Sequence, residues 1–341
     1  MNNKPKIFLA IIIIAIVAST YLFLAMETKT QEAPTPALKN TENTPKNGIT
    51  IRSLTIPGSV EPVDFAKELG FLKGLNITRA GSTTGGPEKI MAVSAGNIEL
   101  GSSAWIPVIN AKSRGAEIKA IVASGGNNTK WIVLENSSIR SAKDLVGKKI
   151  AVNVLGGSVE YITRAHLVQN GISKDAVQLV VLPPPQHEQA LRQGLVDVAA
   201  PFDPVGEKIV ANGGVRVLFT DTDATGDVSQ GLYFVSEKFL KENPEAVKRL
   251  VEGITKAMDW DLDHPQEAKE LVAKILKDRG ENPDLAKYWK GFGEIKHGIV
   301  MDSDVEFWIE WLEKDGKIKE GQLEPSDVYS NEFNPYYKEM R

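Results

Sequence analysis

The chain has 341 residues, 42% of them hydrophobic and 25% charged, with a formal net charge of −4, which indicates one large or two medium globular domains. Its lysines and arginines are scattered and form no basic face, so no nucleic acid partner is expected. The absence of cysteine excludes disulfides, thiolate metal sites, a cysteine nucleophile and a lipid-modified N-terminal cysteine.

The N-terminal segment reads as a membrane anchor followed by a linker. Residues 7–26 form an apolar run long enough to span a bilayer, and the run continues without a good small-x-small cleavage site, which favours an uncleaved anchor over a signal peptide. Because Lys4 and Lys6 precede it, the rest of the chain is expected outside the cytoplasm, at the cell surface or in the periplasm. Residues 27–48 are polar and proline-rich and predict a flexible linker.

In residues 49–219, short runs rich in valine and isoleucine alternate with helical stretches. This pattern is typical of α/β proteins with mostly parallel sheets. The predicted strands cover residues 49–56, 76–80, 98–101, 118–123, 130–135, 149–154, 177–182, 196–200 and 216–219. From Ser236 onward the sequence is mostly helical, with tryptophans in positions that suit core packing.

Two parts of this region repeat one another. Gly58-Ser59-Val60-Glu61 returns at residues 157–160, each time between a strand-like and a helix-like run. Residues 95–100 match residues 193–198 at almost the same offset. Two similar lobes are the economical interpretation, although α/β proteins also repeat such units by composition alone. Lobes that face each other with their strand ends would enclose a cleft lined by helix N-termini and loops.

Four loops of the first lobe are predicted to reach this cleft. Hydroxyl groups and helix N-termini supply hydrogen-bond donors without formal charge, which suits an oxyanion better than a cation. The same residue types also cap helices and form turns, which is the structural alternative for each of them. The candidate ligand-binding residues of this lobe are Gly58, Ser59, Thr84, Gly85, Gly86, Ser102, Ser103, Trp105 and Asn127.

Trp105 has two possible roles, as an apolar wall against the organic part of a ligand or as a core residue. In the second lobe the candidates are Gly157, Ser158 and Asp203. Asp203 stands between prolines, where it could cap a helix, accept a hydrogen bond from a ligand amine or lock lobe closure, capping being the conservative interpretation. No catalytic residue, metal site or cofactor is predicted.

Five segments carry a resemblance to a known family: residues 70–77, 85–90, 95–101, 138–152 and 194–198. Together they resemble the solute-binding proteins of ABC importers, most closely the aliphatic sulfonate, taurine and nitrate group. The similarity covers roughly residues 49–320, and its strongest part is the Ser-x-x-Asp-Leu-x-Gly-Lys-Lys-Ile-Ala-Val segment that ends at Val152. This segment marks the family and says little about the ligand.

The resemblance implies a two-lobed type II periplasmic-binding fold that closes on its ligand around a hinge. It places lobe one at residues 49–135 plus 231–341 and lobe two at residues 136–230, with crossovers near residues 135–139 and 221–230. It also implies a monomer that delivers a small oxyanion, preferably an aliphatic sulfonate, to a membrane permease with its ATPase. The family's ligand loops match Gly58-Ser59, Gly85-Gly86, Ser102-Ser103, Gly157-Ser158 and Asp203, whereas Trp105 matches no family ligand contact.

Two other classes of function remain open. The domain could be a ligand-sensing receptor, or an enzyme of the same fold that acts on a pyrimidine-type substrate. Export through residues 7–26 argues against the enzyme, and so does the lack of a paired histidine or cysteine.

Overall fold

The computed structural model describes residues 48–125, 128–226, 228–293 and 295–337. The predicted anchor at residues 7–26 and nearly all of the predicted linker lie outside the described residues, as does Asn127. Within the described residues, no helix combines the length and the apolar character needed to cross a membrane. Residues 47–341 form one compact unit.

Lobe one is built on two sheets. Strand β1 (Ile49–Thr55) pairs in parallel with β2 (Leu75–Ser82). Strand β10 (Gly231–Ser236) lies between β3 (Gly101–Ala104) and β4 (Ile118–Ser124) and is antiparallel to both. A strand from late in the chain therefore completes the sheet of the first lobe.

Lobe two is built on one sheet with the strand order β7-β6-β8-β5-β9. Its β6 is parallel to β7 and β8, whereas β5 is antiparallel to β8 and β9. The strands are β5 (Lys130–Leu134), β6 (Lys149–Val152), β7 (Gln178–Val181), β8 (Val198–Ala199) and β9 (Val215–Thr220).

Helices cover both lobes, and the C-terminal ones cover lobe one. The α-helices are α1 (Pro62–Glu68), α2 (Gly86–Ser94), α3 (Trp105–Ser113), α4 (Ser158–Gln169), α5 (His187–Arg192), α6 (Val205–Ala211), α7 (Asp221–Thr225), α8 (Glu237–Glu242), α9 (Pro244–Asp263), α10 (Pro265–Asp278), α11 (Asp302–Lys314) and α12 (Pro325–Val328). Short 3₁₀ helices span Ala142–Leu145, Pro184–Gln186, Pro283–Tyr288 and Lys296–Gly298. Proline at the first position of α1, α9, α10 and α12 fixes the backbone for helix entry.

The predicted repeat has a structural counterpart in the two lobes. The Glu99 carboxylate accepts a hydrogen bond from the backbone N–H of Arg52 in β1, at 2.7 Å. The matching carboxylate of Asp197 accepts one from the N–H of Lys149, in β6, at 2.8 Å. Each acidic residue therefore links the segment just before one strand to an earlier strand of its own lobe, β3 to β1 in lobe one and β8 to β6 in lobe two. The tetrapeptides differ, because Ser158 begins α4 whereas α1 begins three residues after Ser59, at Pro62.

The structure differs from the sequence prediction at three strands. The prediction assigned residues 130–135 to lobe one, but β5 pairs with β8 and β9, so the chain crosses to lobe two between Ser124 and Lys130. No strand was predicted at β10, whose four central residues are all buried and show no alternation. Pairing with β10 also places β3 later than the predicted strand at 98–101. The sheets include antiparallel pairs that the mostly parallel prediction did not contain.

Buried apolar side chains form one core that extends through both lobes and two cores that are local to a lobe. Helix α9 is amphipathic, and Leu250, Val251 and Ile254 on its apolar face are fully buried in the shared core. The shared core indicates that the lobes are packed together in a closed arrangement.

Candidate functional site

A cleft of about 120 Å³ lies between the two lobes. Its walls come from the ends of β1, β3, β6 and β10 and from the loops and helices that follow them. The lining includes Ser59, Glu61, Gly85, Gly86, Ser102, Ser103, Asn153, Gly157, Ser158, Asp203, Tyr233 and Trp289. This volume is below the usual range for drug-sized ligands, so the cleft suits a small molecule.

Several helices begin at the cleft, and two of them, α2 and α4, come from opposite lobes. Helix α2 starts at Gly86 and α4 starts at Ser158, and neither has a side-chain cap at its N-terminus. The first N–H groups of a helix have no partner within the helix, and the helix dipole adds about half a positive charge there. Both ends therefore favour an anion in the cleft.

A buried ion pair lies beside these helix ends. The Lys89 ammonium lies 2.5 Å from Glu61 Oε1 and donates to Ser102 Oγ at 2.5 Å. The Ser102 hydroxyl donates to the Glu61 carboxylate at 2.9 Å. The Lys89 side chain is 1% exposed and that of Glu61 is 16% exposed. Because the two charges cancel within this cluster, Glu61 lines the cleft without adding net negative charge.

The hydroxyl of Tyr233 supplies a further donor. Tyr233 lies on β10, is 1% exposed and accepts a hydrogen bond from the backbone N–H of Val63, at 3.2 Å. Burial raises the pKa of the Tyr233 hydroxyl well above its ordinary value, so the group keeps its proton. That proton is available to an acceptor in the cleft.

On the lobe-two side, Asp203 belongs to a charged cluster with Lys130 and Glu207. The Lys130 ammonium lies 2.8 Å from Asp203 Oδ2 and 3.0 Å from Glu207 Oε1. Burial raises the pKa of Asp203 to about 6, although Lys130 opposes the shift. Burial also disfavours the charged form of Lys130, but hydrogen bonds to Asp203 and Glu207 outweigh it and raise the pKa of the ammonium. Asp203 Oδ1 accepts from the backbone N–H of Glu207 at 3.1 Å, as expected of a residue that caps α6.

Direct contacts hold the lobes closed around the cleft. Asn153 Nδ2 donates to the Thr84 carbonyl at 2.8 Å. Outside the cleft, Asn110 Nδ2 donates to the Tyr161 hydroxyl at 2.9 Å. Lobe-one backbone also approaches lobe two closely, since a Cβ built on Gly85 would lie 2.6 Å from Val154 Cγ1. Glycine at this position is required by the closed arrangement.

The structure brings eight of the predicted ligand residues to the cleft: Ser59, Gly85, Gly86, Ser102, Ser103, Gly157, Ser158 and Asp203. Ser102 and Ser103 lie on β3 and not in a loop as predicted, because β3 extends further than expected. Their side chains still line the cleft, which begins where β3 passes into α3.

Three predicted ligand residues lie elsewhere. Trp105 is 1% exposed in the core of lobe one, where its indole N–H donates to Ser229 Oγ at 3.3 Å, so it forms no wall of the cleft. Thr84 binds the Glu88 carboxylate through its N–H and its hydroxyl, both at 2.9 Å. Gly58 lines a separate pocket with Pro185 and Glu281, and its N–H donates to Glu281 Oε2 at 2.6 Å. One further candidate, Asn127, lies outside the described residues.

Sequence reasoning missed Lys89, Tyr233 and Asn153 and assigned Glu61 only to helix packing and the helix dipole. Lys89 lies within the helix that follows Gly85-Gly86 and looks like an ordinary surface lysine. Tyr233 belongs to the strand that was not predicted. Asn153 follows the family-like segment that ends at Val152, and this position at the end of a strand was the one available signal.

Two lobes joined by crossing segments around a small cleft define the class of periplasmic-binding-protein folds. The periplasmic aliphatic sulphonate binding protein SsuA from Escherichia coli has this architecture: it superposes with a TM-score of 0.65 at 21% identity, over 83% of this chain and 92% of that chain. The desulfurization enzyme DSZB also superposes, with a TM-score of 0.60 at 16% identity, over 86% of this chain and 100% of that chain. At sequence identities this low, the two superpositions establish a shared fold and nothing further.

Sequence similarity establishes the family to which the chain belongs. The family described as NMT1/THI5 like matches residues 61–268, more than half of the chain, and the protein belongs to this NMT1/THI5-like family. A Brucella abortus (strain 2308) protein named as a binding protein is 28% identical over 73% of this chain and 79% of its own length. A Bacillus subtilis (strain 168) protein named for aliphatic sulfonate binding is 28% identical over 82% of this chain and 85% of its own length. Curated relatives thus carry the names of binding proteins.

Proposed function

We propose that the protein is an extracytoplasmic solute-binding protein of an ABC importer. It captures a small oxyanion between its lobes and delivers it to a membrane permease with a cytoplasmic ATPase. The proposed ligand is an aliphatic sulfonate, a class that includes taurine, ahead of nitrate and bicarbonate. The observation that carries the proposal is the pair of uncapped helix N-termini, at Gly86 and Ser158, that reach one small cleft from opposite lobes.

Charge supports a monoanion as the ligand. The formal charges of the described cleft lining are paired: Glu61 with Lys89, Asp203 with Lys130, and Lys290 with Glu207 at 3.7 Å. Two helix ends of about half a positive charge each then match one negative charge. Neutral donors such as Ser103 and Tyr233 can contact the remaining oxygens of a tetrahedral headgroup. A cation would meet the positive ends of two helices without a free carboxylate.

The proposal extends to the organisation of the chain. Residues 7–26 anchor the protein in the membrane, and residues 27–48 tether a monomeric two-lobed domain within reach of a permease. The proposed ligand contacts are the hydroxyl groups and helix N-termini of the cleft, with Asp203 at its edge. They are Ser59, Gly85, Gly86, Ser103, Gly157, Ser158 and Asp203. Ser102 also lines the cleft, but its proton goes to Glu61, so it contributes to the site by holding that carboxylate.

Isothermal titration of the purified full-length chain in a non-ionic detergent tests the ligand class. We expect saturable binding of short alkanesulfonates, with weaker binding of nitrate and bicarbonate, because a sulfonate offers three oxygens and an apolar tail. Ammonium compounds of the same size should give no heat. A chain that binds none of the anions would contradict the proposal.

An enzyme that acted on the bound sulfonate would give a different result. If the cleft converted its ligand, incubation of the full-length chain with the bound sulfonate would release sulfite or a modified product. We expect the sulfonate to be recovered unchanged by mass spectrometry. A functional link to import is tested by coexpression with a candidate permease and ATPase and by uptake of labelled sulfonate.

A further inference from the structure

Two buried polar atoms in the described part of the cleft have no hydrogen-bond partner. They are Ser103 Oγ and Asn153 Oδ1. The Ser103 hydroxyl can donate to an anion, but an amide oxygen can only accept. Asn153 is 7% exposed, and burying an acceptor without a partner is costly. The cleft therefore offers one acceptor that an oxyanion cannot satisfy.

The orientation of the Asn153 amide is fixed by its other half. Asn153 Nδ2 donates to the Thr84 carbonyl at 2.8 Å, and a carbonyl has no hydrogen to give, so the nitrogen must point toward Thr84. A Cβ built on Gly85 would lie 3.0 Å from Nδ2, which shows how closely lobe one approaches this side of the amide. The oxygen is left on the side away from the Thr84 carbonyl.

The carboxylates of the cleft are already occupied. Glu61 accepts from Lys89 and Ser102. Asp203 accepts from Lys130 and from the N–H of Glu207. Within the described lining of the cleft, Asn153 Oδ1 is therefore a buried side-chain oxygen that can only accept and has no partner, whereas the unpartnered hydroxyl of Ser103 can instead donate to the anion.

We propose that Asn153 sets the ligand specificity by accepting a hydrogen bond from an O–H or N–H group of the ligand. The inference rests on the proposed function and narrows its ligand class to short sulfonates that carry a hydroxyl or amino substituent. A plain alkanesulfonate of the same size leaves Oδ1 without a partner and binds more weakly. Because Nδ2 holds the Thr84 carbonyl of the opposite lobe, the residue that recognises the substituent also stabilises closure.

A matched pair of ligands tests the inference on the wild-type full-length chain. 2-Hydroxyethanesulfonate and propane-1-sulfonate differ by a hydroxyl in place of a methyl group. Isothermal titration in a non-ionic detergent should show the hydroxyl ligand binding about tenfold more tightly, or about 1.4 kcal/mol. Equal affinities, or tighter binding of propane-1-sulfonate, would overturn the role of Asn153 and leave the proposed function intact. Binding of neither ligand would contradict both the role of Asn153 and the proposed function.

Variants separate recognition from closure. Asn153→Leu should reduce the ratio of the two affinities to within about twofold, since the acceptor is gone. Tyr161→Phe is the matched control, because it removes the acceptor of the Asn110 hydrogen bond between the lobes without changing the cleft. It should weaken both ligands equally and keep the ratio. A ratio that survives in Asn153→Leu contradicts the inference, and Asn153→Ala replaces that variant if it does not fold.

Discussion

Lys89 is expected to stabilise the protein by neutralising Glu61, and Lys89→Met tests this. At the observed 2.5 Å and an effective dielectric constant of about 20, the two charges attract by about 6–7 kcal/mol. The cost of desolvating the Lys89 ammonium, which is 1% exposed in the folded protein, offsets part of this attraction. Loss of one partner from such a pair typically destabilises by about 3–5 kcal/mol. We expect about 3 kcal/mol, because the Ser102 hydroxyl still donates to Glu61.

The same substitution should weaken anion binding. Two negative charges about 6 Å apart repel each other by about 3 kcal/mol at the same dielectric constant, so an uncompensated Glu61 carboxylate at that separation would cost about a hundredfold in affinity. Urea unfolding gives the stability, and isothermal titration with the sulfonate gives the affinity.

The double variant Glu61→Gln/Lys89→Met is the control. It removes both charges and should recover most of the lost stability, because neutral replacements of a buried pair are often tolerated. A double variant no more stable than Lys89→Met, or a single variant that loses less than about 1 kcal/mol, would refute the charge-neutralisation argument.

Three further predictions concern pH, closure and the paired serines. Since the pKa of Asp203 is raised to about 6 from about 3.9 in an unfolded chain, its contribution to stability is full below about pH 4 and is lost as the pH rises through about 6. Urea unfolding should show a fall of up to about 3 kcal/mol that Asp203→Asn lacks; parallel pH profiles would contradict the assignment. Gly85→Ala places a Cβ 2.6 Å from Val154 Cγ1, which opposes closure of the lobes, so the affinity measured by isothermal titration should fall about tenfold. Unchanged affinity would contradict this prediction. Ser59→Leu and Ser158→Leu should each lower affinity at least about tenfold, and wild-type affinity in either would show that the serines do not face a common ligand.

Much of the fold could be predicted from the sequence because its strands are short, regular and spaced by helices. The Ser-x-x-Asp-Leu-x-Gly segment before β6 and the turns at Gly96 and Gly194 have local signals that do not depend on the rest of the chain. Both glycines have positive φ, of 72° and 70°, which a side chain would strain. Their repeat therefore identified matching positions in the two lobes.

The site was harder to predict because its partners are distant in sequence. Lys89 and Glu61 are 28 residues apart, and Asn153 and Thr84 are 69 apart, and nothing local marks these pairs. Trp105 was ambiguous for a related reason, since its burial depends on α11 and on β10, the strand that was not predicted. The hydroxyl and glycine residues at strand ends could be predicted as cleft residues because ligands of open α/β sheets bind at the carboxyl ends of the strands. Their position in the sequence was therefore enough.

Strand β10 gives the chain a fixed order of assembly. It lies between β3 and β4, yet it follows all of lobe two in the sequence. A chain that ends before Gly231 has no partner for the facing edges of β3 and β4, and unpaired edges promote association with other chains. Such nonlocal pairing also slows folding, because a long loop must close before the contact forms. Lobe one can therefore reach its native sheet only after the whole of lobe two has been synthesised, and C-terminal truncation before residue 231 should yield an aggregating chain in place of a smaller folded lobe.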